Sequence, residues 1–308
     1  MLKLVVVGMV ATIAFASEFI HPVNQDLVNE IKEKATTWSP MEVHENPLRH
    51  MDKKKMMGLL GTTIQAPSAL FQRAEQMNLA VPDSFDSRQQ WPNCIHPIRN
   101  QQQCGSCWAF AASEALSDRF CIASNGKTNV VLSPEDMVAC DRYDMGCNGG
   151  WLDKAWTYLA TEGIVTDSCM PYTSGSGSVP SCPKSCTGSD EQFQKYKCAA
   201  HSVFVATSPA TIKQQIIAGG PVETGFMVYQ DFMNYKSGIY HHTTGGLLGG
   251  HAVKIIGWGV ENGTNYWICA NSWDTTWGEQ GFFRIKQGEC NIDQAVYGCA
   301  PQLSNATF

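Results

Sequence analysis

The first 80 residues contain no cysteine, and the first of the chain's thirteen is Cys94, so a cysteine-free leader precedes a cysteine-rich body of 228 residues (308 − 80). Charge is scarce as well. Only 16% of residues are charged against 44% hydrophobic, which excludes a disordered or fibrous chain and leaves material for one sizeable core or two small ones. Basic residues are outnumbered 22 to 28, a formal charge of −6, so no nucleic-acid partner is expected. Residues 1–80 balance at eight basic and eight acidic, so the whole excess lies in the body, at 14 and 20. Long apolar runs are missing except Leu4 to Ala16, whose 13 residues are too few to span a bilayer as a helix. Preceded by Lys3 and closed by Ala14-Phe15-Ala16, that run reads as a signal peptide over 1–16. Thr173 to Ser178 lacks the Gly-Lys-Ser/Thr ending of a phosphate cradle, and no internal repeat is found.

Residues 17–80 read as a removable prosegment, with helical phrases at Asp26 to Ile31 and Ala69 to Ala74 and a solvated face at Lys53-Lys54-Lys55. In the body, helices are expected from Cys107 through Leu116, after Ser133-Pro134, from Trp151 to Leu159, and between Ser208-Pro209 and Gly219-Gly220. Strands are expected at 221–229, 251–258, 265–271 and 281–286, the middle two joined by the turn Glu261 to Thr264. Helices first and strands later imply an α+β fold of two lobes, about 81–205 mainly helical and about 206–308 mainly β. Residues 173–190, rich in Gly, Ser and Pro and bearing Cys182 and Cys186, read as a stapled loop.

The densest chemical signal is Gln101-Gln102-Gln103-Cys104-Gly105-Ser106-Cys107-Trp108. Cys104-x-x-Cys107 fits a redox pair, a metal half-site, or a bridged cysteine beside a nucleophile. Position favours the last, because the unpaired N–H groups and positive end of a helix starting at Cys107 stabilise a thiolate. Of eight histidines, His21, His44 and His50 fall in the leader, and His96 and His201 stand without companions. The pair His241-His242 precedes a Thr/Gly stretch and reads as a solvated loop. His251 opens the apolar strand Ala252 to Ile256 at a lobe boundary, and Asn271-Ser272-Trp273 lies across a hairpin from it. There Asn271 can fix the imidazole and Trp273 can shield the bond from water.

Cys104-Gly105-Ser106-Cys107-Trp108 resembles the nucleophile signature of papain-type cysteine proteases, with the histidine and asparagine 144 and 164 residues downstream (251 − 107 and 271 − 107). Within that family the chain is similar to the cathepsin B-like group. The resemblance is carried by Ser84 to Arg88, Gly146-Cys147-Asn148-Gly149-Gly150, Gly220 to Glu223, Tyr235 to Gly238, Gly257 to Thr264, and Asn271-Ser272-Trp273 with Trp277-Gly278. In the leader it extends to Thr36-Thr37-Trp38 and Leu59-Leu60-Gly61-Thr62. It implies a papain-like fold over 81–308, helical left lobe and β-barrel-like right lobe, with the cleft between. It also implies a Cys107 thiolate paired with His251 imidazolium, oriented by Asn271, and Gln101 as the oxyanion donor. The family usually has glycine where this chain has Gln102.

Carried over position by position, Gly149 and Gly150 would pair with substrate backbone, and Trp151, Leu152, Gly225, Ala252 and Ala295 would form the pocket for the second residue before the scissile bond, P2. The cathepsin B-like group places an acid at the Ala295 position, so its loss implies an apolar P2 preference. That group also carries an inserted occluding loop with paired histidines, which makes it a peptidyl-dipeptidase. Between Cys169 and Cys186 this chain has no histidine and no such insertion, so endopeptidase action is expected. A thiol–disulfide oxidoreductase is the rival from another class. Implied disulfides are Cys94–Cys121, Cys104–Cys147, Cys140–Cys182 and Cys169–Cys186, with Cys198–Cys299 added, leaving Cys107 reduced and Cys269 and Cys290 unassigned. Asn262 and Asn305 head glycosylation sequons. No cofactor or metal is expected. The expected partners are protein and peptide substrates and the chain's own prosegment as inhibitor. A monomer in the secretory pathway, in a lysosome-like or vacuolar compartment or secreted, completes the expectation.

Overall fold

The computed structural model describes residues 20–303, so the expected signal peptide and the Asn305 sequon lie outside the described residues. In chain order the helices are α1 Gln25–Lys34, α2 Lys53–Gly58, α3 Ser87–Gln90, α4 Cys107–Ala123, α5 Pro134–Cys140, α6 Leu152–Thr161 and α7 Pro209–Gly219. Their starts follow local chemistry. Ser133 accepts from the Asp136 N–H with Pro134 in the first turn, and Ser208 does the same for Thr211 ahead of Pro209. In the leader, Asn24 caps α1, whose Leu27, Val28 and Ile31 form one buried stripe. Among the described residues no helix is long and apolar enough to cross a membrane.

The strands are β1 Trp38–Pro40, β2 Gln72–Arg73, β3 Phe85–Asp86, β4 Phe204–Ala206, β5 Val222–Tyr229, β6 Tyr235–Tyr240, β7 Leu247–Glu261, β8 Thr264–Ala270, β9 Phe282–Lys286 and β10 Val296–Gly298. They join in the order β1-β6-β9-β8-β7-β5-β10-β4-β2, with β3 beside β7. The sheet is open rather than a closed barrel, and both of its end strands come from the leader. Residues 69–74 therefore do not form the expected helix. The edge of β4 offers the backbone other partners: Gln72 and Arg73 pair with Phe204 and Val205, and the Ala74 N–H donates to Val205 O (2.9 Å). His251 likewise lies inside β7 rather than opening it, because β5 continues the pairing past the double glycine, Met227 with Gly250 and Val228 with Gly249.

Two large apolar cores result, beside a small one at Val165, Cys169 and Met170. One, around Trp108, Phe120, Trp156 and Leu159, belongs to the helical lobe. The other, around Phe226, Phe232, Trp267 and Phe283, belongs to the sheet and also takes in Leu27, Ile31, Trp38, Met56 and Leu59 of the leader. Helix α4 stands between the lobes, buried along almost its whole length. Its Asp118 carboxylate accepts from Lys254 Nζ of β7 at 2.6 Å, with both groups buried. Its Arg119 donates to the carbonyls of Pro221, Gly220 and Cys299 at 2.7–2.9 Å. These contacts set α4 against the strand that carries His251. Disulfides join Cys94–Cys121, Cys104–Cys147, Cys140–Cys182, Cys169–Cys186 and Cys198–Cys299. Cys107, Cys269 and Cys290 are unpaired, so the last two do not bridge each other.

Candidate active site

Cys107 is the first residue of α4, where backbone N–H groups lack intrahelical acceptors. The preceding turn is held by the Cys104–Cys147 bridge and by Gly105 N–H to Cys147 O (3.0 Å). Gln102 takes a left-handed φ of +55°, the conformation for which glycine is favoured, and its N–H donates to Asn100 Oδ1 at 2.8 Å. The turn thus forms without glycine.

His251 projects from the middle of β7. Its Nε2 lies 2.7 Å from Asn271 Oδ1, and that oxygen also accepts the Ser272 N–H (2.8 Å), which fixes the amide. The Trp273 ring covers the imidazole at 4.7 Å between centroids. His251 Nδ1 is buried without a hydrogen-bond partner among the described residues, as is Asn271 Nδ2. Gln101 is fully buried. Its Oε1 accepts from Ser272 Oγ (2.7 Å) and its Nε2 donates to Cys104 O (2.9 Å) and Leu59 O (3.3 Å). Ser272, unassigned in the sequence, therefore links Gln101 to Asn271.

Leader residues 59–65 run across this constellation. Thr62 Oγ1 lies 3.1 Å from Cys107 Sγ. Gly150 N–H donates to Gly61 O (2.8 Å), Thr63 N–H to Gly150 O (3.0 Å) and Thr62 N–H to Gly250 O (3.1 Å), so the leader backbone bonds to both walls of the cleft. Gly149 has φ +109°, and a Cβ there would meet Gly61 O at 2.8 Å. Burial pushes the Cys107 thiol up, against a smaller opposing effect of Thr62, and pushes the His251 imidazole down to about 4, partly offset by Asn271. With the leader in place burial thus favours the neutral form of each group.

Leu152, Gly225 and Ala295 line one pocket with Gln294 and Tyr297, and Ile64 of the leader forms part of its wall. Ile64 Cδ1 stands 2.9 Å from where a Cβ on Gly225 would be. Trp151 and Ala252 fall outside that lining: the Trp151 ring carries Lys154 Nζ at 3.5 Å, and Ala252 is buried beside Cys107. At the other end of the cleft, the buried Glu135 accepts from the N–H and hydroxyl groups of Thr173 and Ser174 at 2.7–3.2 Å, which clamps the short loop. His241 and His242 are not simply solvated. His241 Nδ1 lies 3.0 Å from Thr37 Oγ1, and His242 stacks on Tyr229 and faces Asp231. Asn262 is exposed in the β7–β8 turn. Among the described residues the grouping of metal-ligand types, Cys169, Cys186 and Glu191, is a disulfide beside a carboxylate bonded to Thr166 and Ser168.

Residues 81–300 match the model of the papain family cysteine proteases. The cathepsin B-like cysteine proteinase 4 of Caenorhabditis elegans is 40% identical, over 97% of this chain and 99% of its own length. Cathepsin B-like cysteine proteinase 3 of the same organism is 42% identical, over 88% and 80%. Among solved structures, procathepsin B S9 from Trypanosoma congolense superposes with a TM-score of 0.84 at 31% identity, covering 92% of this chain and 100% of that one. Procathepsin L2 from Tenebrio molitor larval midgut gives 0.72 at 26%, covering 90% and 89%. A sulfur at a helix start, an imidazole on β7 with an amide just past the paired strand β8, the family match over residues 81–300 and the likeness to cathepsin B-like relatives lead to one assignment: the chain belongs to the papain family of cysteine proteases.

Proposed function

We propose that the protein is a cysteine endopeptidase made as a zymogen, with residues 17–80 as its inhibitory prosegment and with an apolar P2 preference. The observation that carries this reading is the leader chain itself, whose backbone lies between Gly150 and Gly250, with Thr62 at the sulfur and Leu59 O at the Gln101 amide. A polypeptide already fits the cleft.

Once the leader is gone, water reaches Cys107 and His251 and the cost of charging both falls. The thiol proton passes to His251 Nδ1, the nitrogen that Asn271 leaves unused. The thiolate attacks the scissile carbonyl, and the oxyanion is held by Gln101 Nε2 and the Cys107 N–H. Collapse of this intermediate expels the amine, which takes its proton from His251 and leaves a thioester on Cys107. A water deprotonated by His251 then hydrolyses the thioester, releasing the acid and the free thiol. Ala295, Leu152 and Gly225 offer a P2 side chain apolar contact, as Ile64 already illustrates. The Glu135-clamped loop brings no histidine to the end of the cleft beside Gln102 and Gln103, so the paired-histidine grip on a terminal carboxylate has no counterpart among the described residues. Five disulfides fit an oxidising secretory or extracellular compartment.

The test is a peptide-library profile of the processed enzyme, alongside labelling by a vinyl sulfone. Internal cleavage after apolar P2 residues, abolished by labelling at Cys107, is expected. Stepwise release of C-terminal dipeptides at rivalling rates, or a higher kcat/KM for P2 Arg than for P2 Leu, would overturn the respective part.

A further inference from the structure

Beyond the cleft the leader follows a second, separately built track. From Ile64, packed on Gly225 at the wall of the P2 pocket, it passes Tyr297, whose hydroxyl accepts the Ser68 N–H (3.2 Å) and whose ring meets Phe71 edge-on. It then pairs as β2 with the edge of β4 and ends against Gln214 of α7. Gln214 is 4% exposed, and its amide is spent on one residue: Oε1 accepts the Met77 N–H (2.8 Å), and Nε2 donates to Met77 O (2.5 Å). Strand pairing and an amide bonded to both backbone groups of a residue read the main chain and ignore its side chains.

Resting on the zymogen reading above, we propose that the edge of β4 with Gln214 is a second peptide site, which the leader fills in the full chain and which then takes the N-terminal stretch of long polypeptide substrates. The direction follows from the cleft. Ile64 marks P2, so residues further N-terminal in a substrate run the way the leader runs from Ile64 towards Met77. The eight steps from Ile64 to Gln72 and thirteen to Met77 place P10 at β4 and P15 at Gln214 (2 + 8 and 2 + 13). Substrate polarity is opposite to the leader's, because the leader enters the P2 pocket after passing Cys107 whereas a substrate does so before. Such a chain would lie antiparallel to β4, the sheet pairing of at least equal stability. A 180° flip of the Gln214 amide exchanges its donor and acceptor to suit.

The test uses protein activated by leader removal after the full chain has folded. Two substrates share residues P4 to P2′, and one is extended to P16 with a Thr/Val/Ser-rich sequence. The expected KM of the extended substrate is about tenfold lower, the order of one or two net hydrogen bonds. That ratio should fall to near one in Gln214→Ala, and also for wild type when the extension carries proline at P10 and P12. A ratio near one in wild type, or a tenfold ratio that survives either change, overturns the proposal. A second readout does not need catalysis: a fluorescent peptide of leader sequence 69–79 is titrated onto protein whose leader was cut away by an added protease. Saturable binding weakened at least tenfold by Gln214→Ala supports the site, and absence of saturable binding overturns it. Failure to cleave the short substrate would instead count against the protease mechanism.

Discussion

Gly61→Ala tests directly whether the leader chain closes the cleft. A Cβ at this position would stand 2.0 Å from Gly105 O and 2.6 Å from Gly105 Cα. Both are backbone atoms in the turn fastened by Cys104–Cys147, so it is the leader that must yield, by about 1 Å or more to reach ordinary contact. That displacement breaks the bonds Gly150 N–H to Gly61 O, Thr63 N–H to Gly150 O and Thr62 N–H to Gly250 O. At about 1 kcal/mol net for each, roughly 3 kcal/mol of closure is lost, or about a hundredfold in the ratio of open to closed cleft. The assay is the second-order rate of vinyl sulfone alkylation at Cys107 in the uncut chain, read by mass spectrometry at early times. Alkylation about a hundredfold faster than in the uncut wild type is expected, with identical rates for the two processed forms, because residue 61 leaves with the prosegment. An unchanged rate in the uncut chain would refute the reasoning, since the cleft would then not depend on this passage.

Three further outcomes are expected. Gln101→Ala removes the amide donor and should lower kcat by roughly 10²–10³-fold with little change in KM, measured on the processed enzyme; an unchanged kcat would remove Gln101 from the oxyanion site. Ala295→Glu places a carboxylate in the pocket lined by Leu152 and Gly225 and should raise the kcat/KM ratio of P2 Arg over P2 Leu by about tenfold or more, the scale of one new ion pair; a ratio that does not move would place the P2 side chain elsewhere. Glu223 is fully buried, with Oε2 accepting from Trp156 Nε1 (2.6 Å), and burial holds its carboxyl well above the ordinary range. The folded protein therefore carries the neutral acid while the unfolded chain ionises above about pH 4.3, so stability is fullest below that pH and declines as pH rises towards the folded-state value. Glu223→Gln keeps an acceptor for Trp156 and removes this dependence, so its denaturation midpoint relative to wild type should rise between pH 4 and pH 7; a constant difference would mean an ordinary carboxylate.

Much of the site could be read in the linear chain because its chemistry rests on local features. Cys107 sits at a helix start that the apolar spacing through Leu116 announces, and Asn271-Ser272 follows a strand paired to the strand of His251. What could not be read depends on distant partners. Ala69 to Ala74 has helical spacing, and only the unpaired edge of β4 makes it extended. Gly249-Gly250 looks like a strand boundary until β5 supplies the pairing. Nothing near Thr62 signals a sulfur, since the contact spans 45 residues and exists only because Gly61 threads between Gly105 and Gly149. Ser272 could have been singled out by its place in the Asn-Ser-Trp triplet, but its bond to Gln101 joins the two lobes and has no local mark.

The buried ions at Asp118 and Lys254, with the Arg119 guanidinium spread over three carbonyls, bear on how such an enzyme can be switched on. Prising the halves apart would leave charges in a poorly solvated seam, at several kcal/mol per ion. The jaws are consequently of fixed gape, and latency has to be lifted by loosening the strap that lies between them rather than by any swing of the halves.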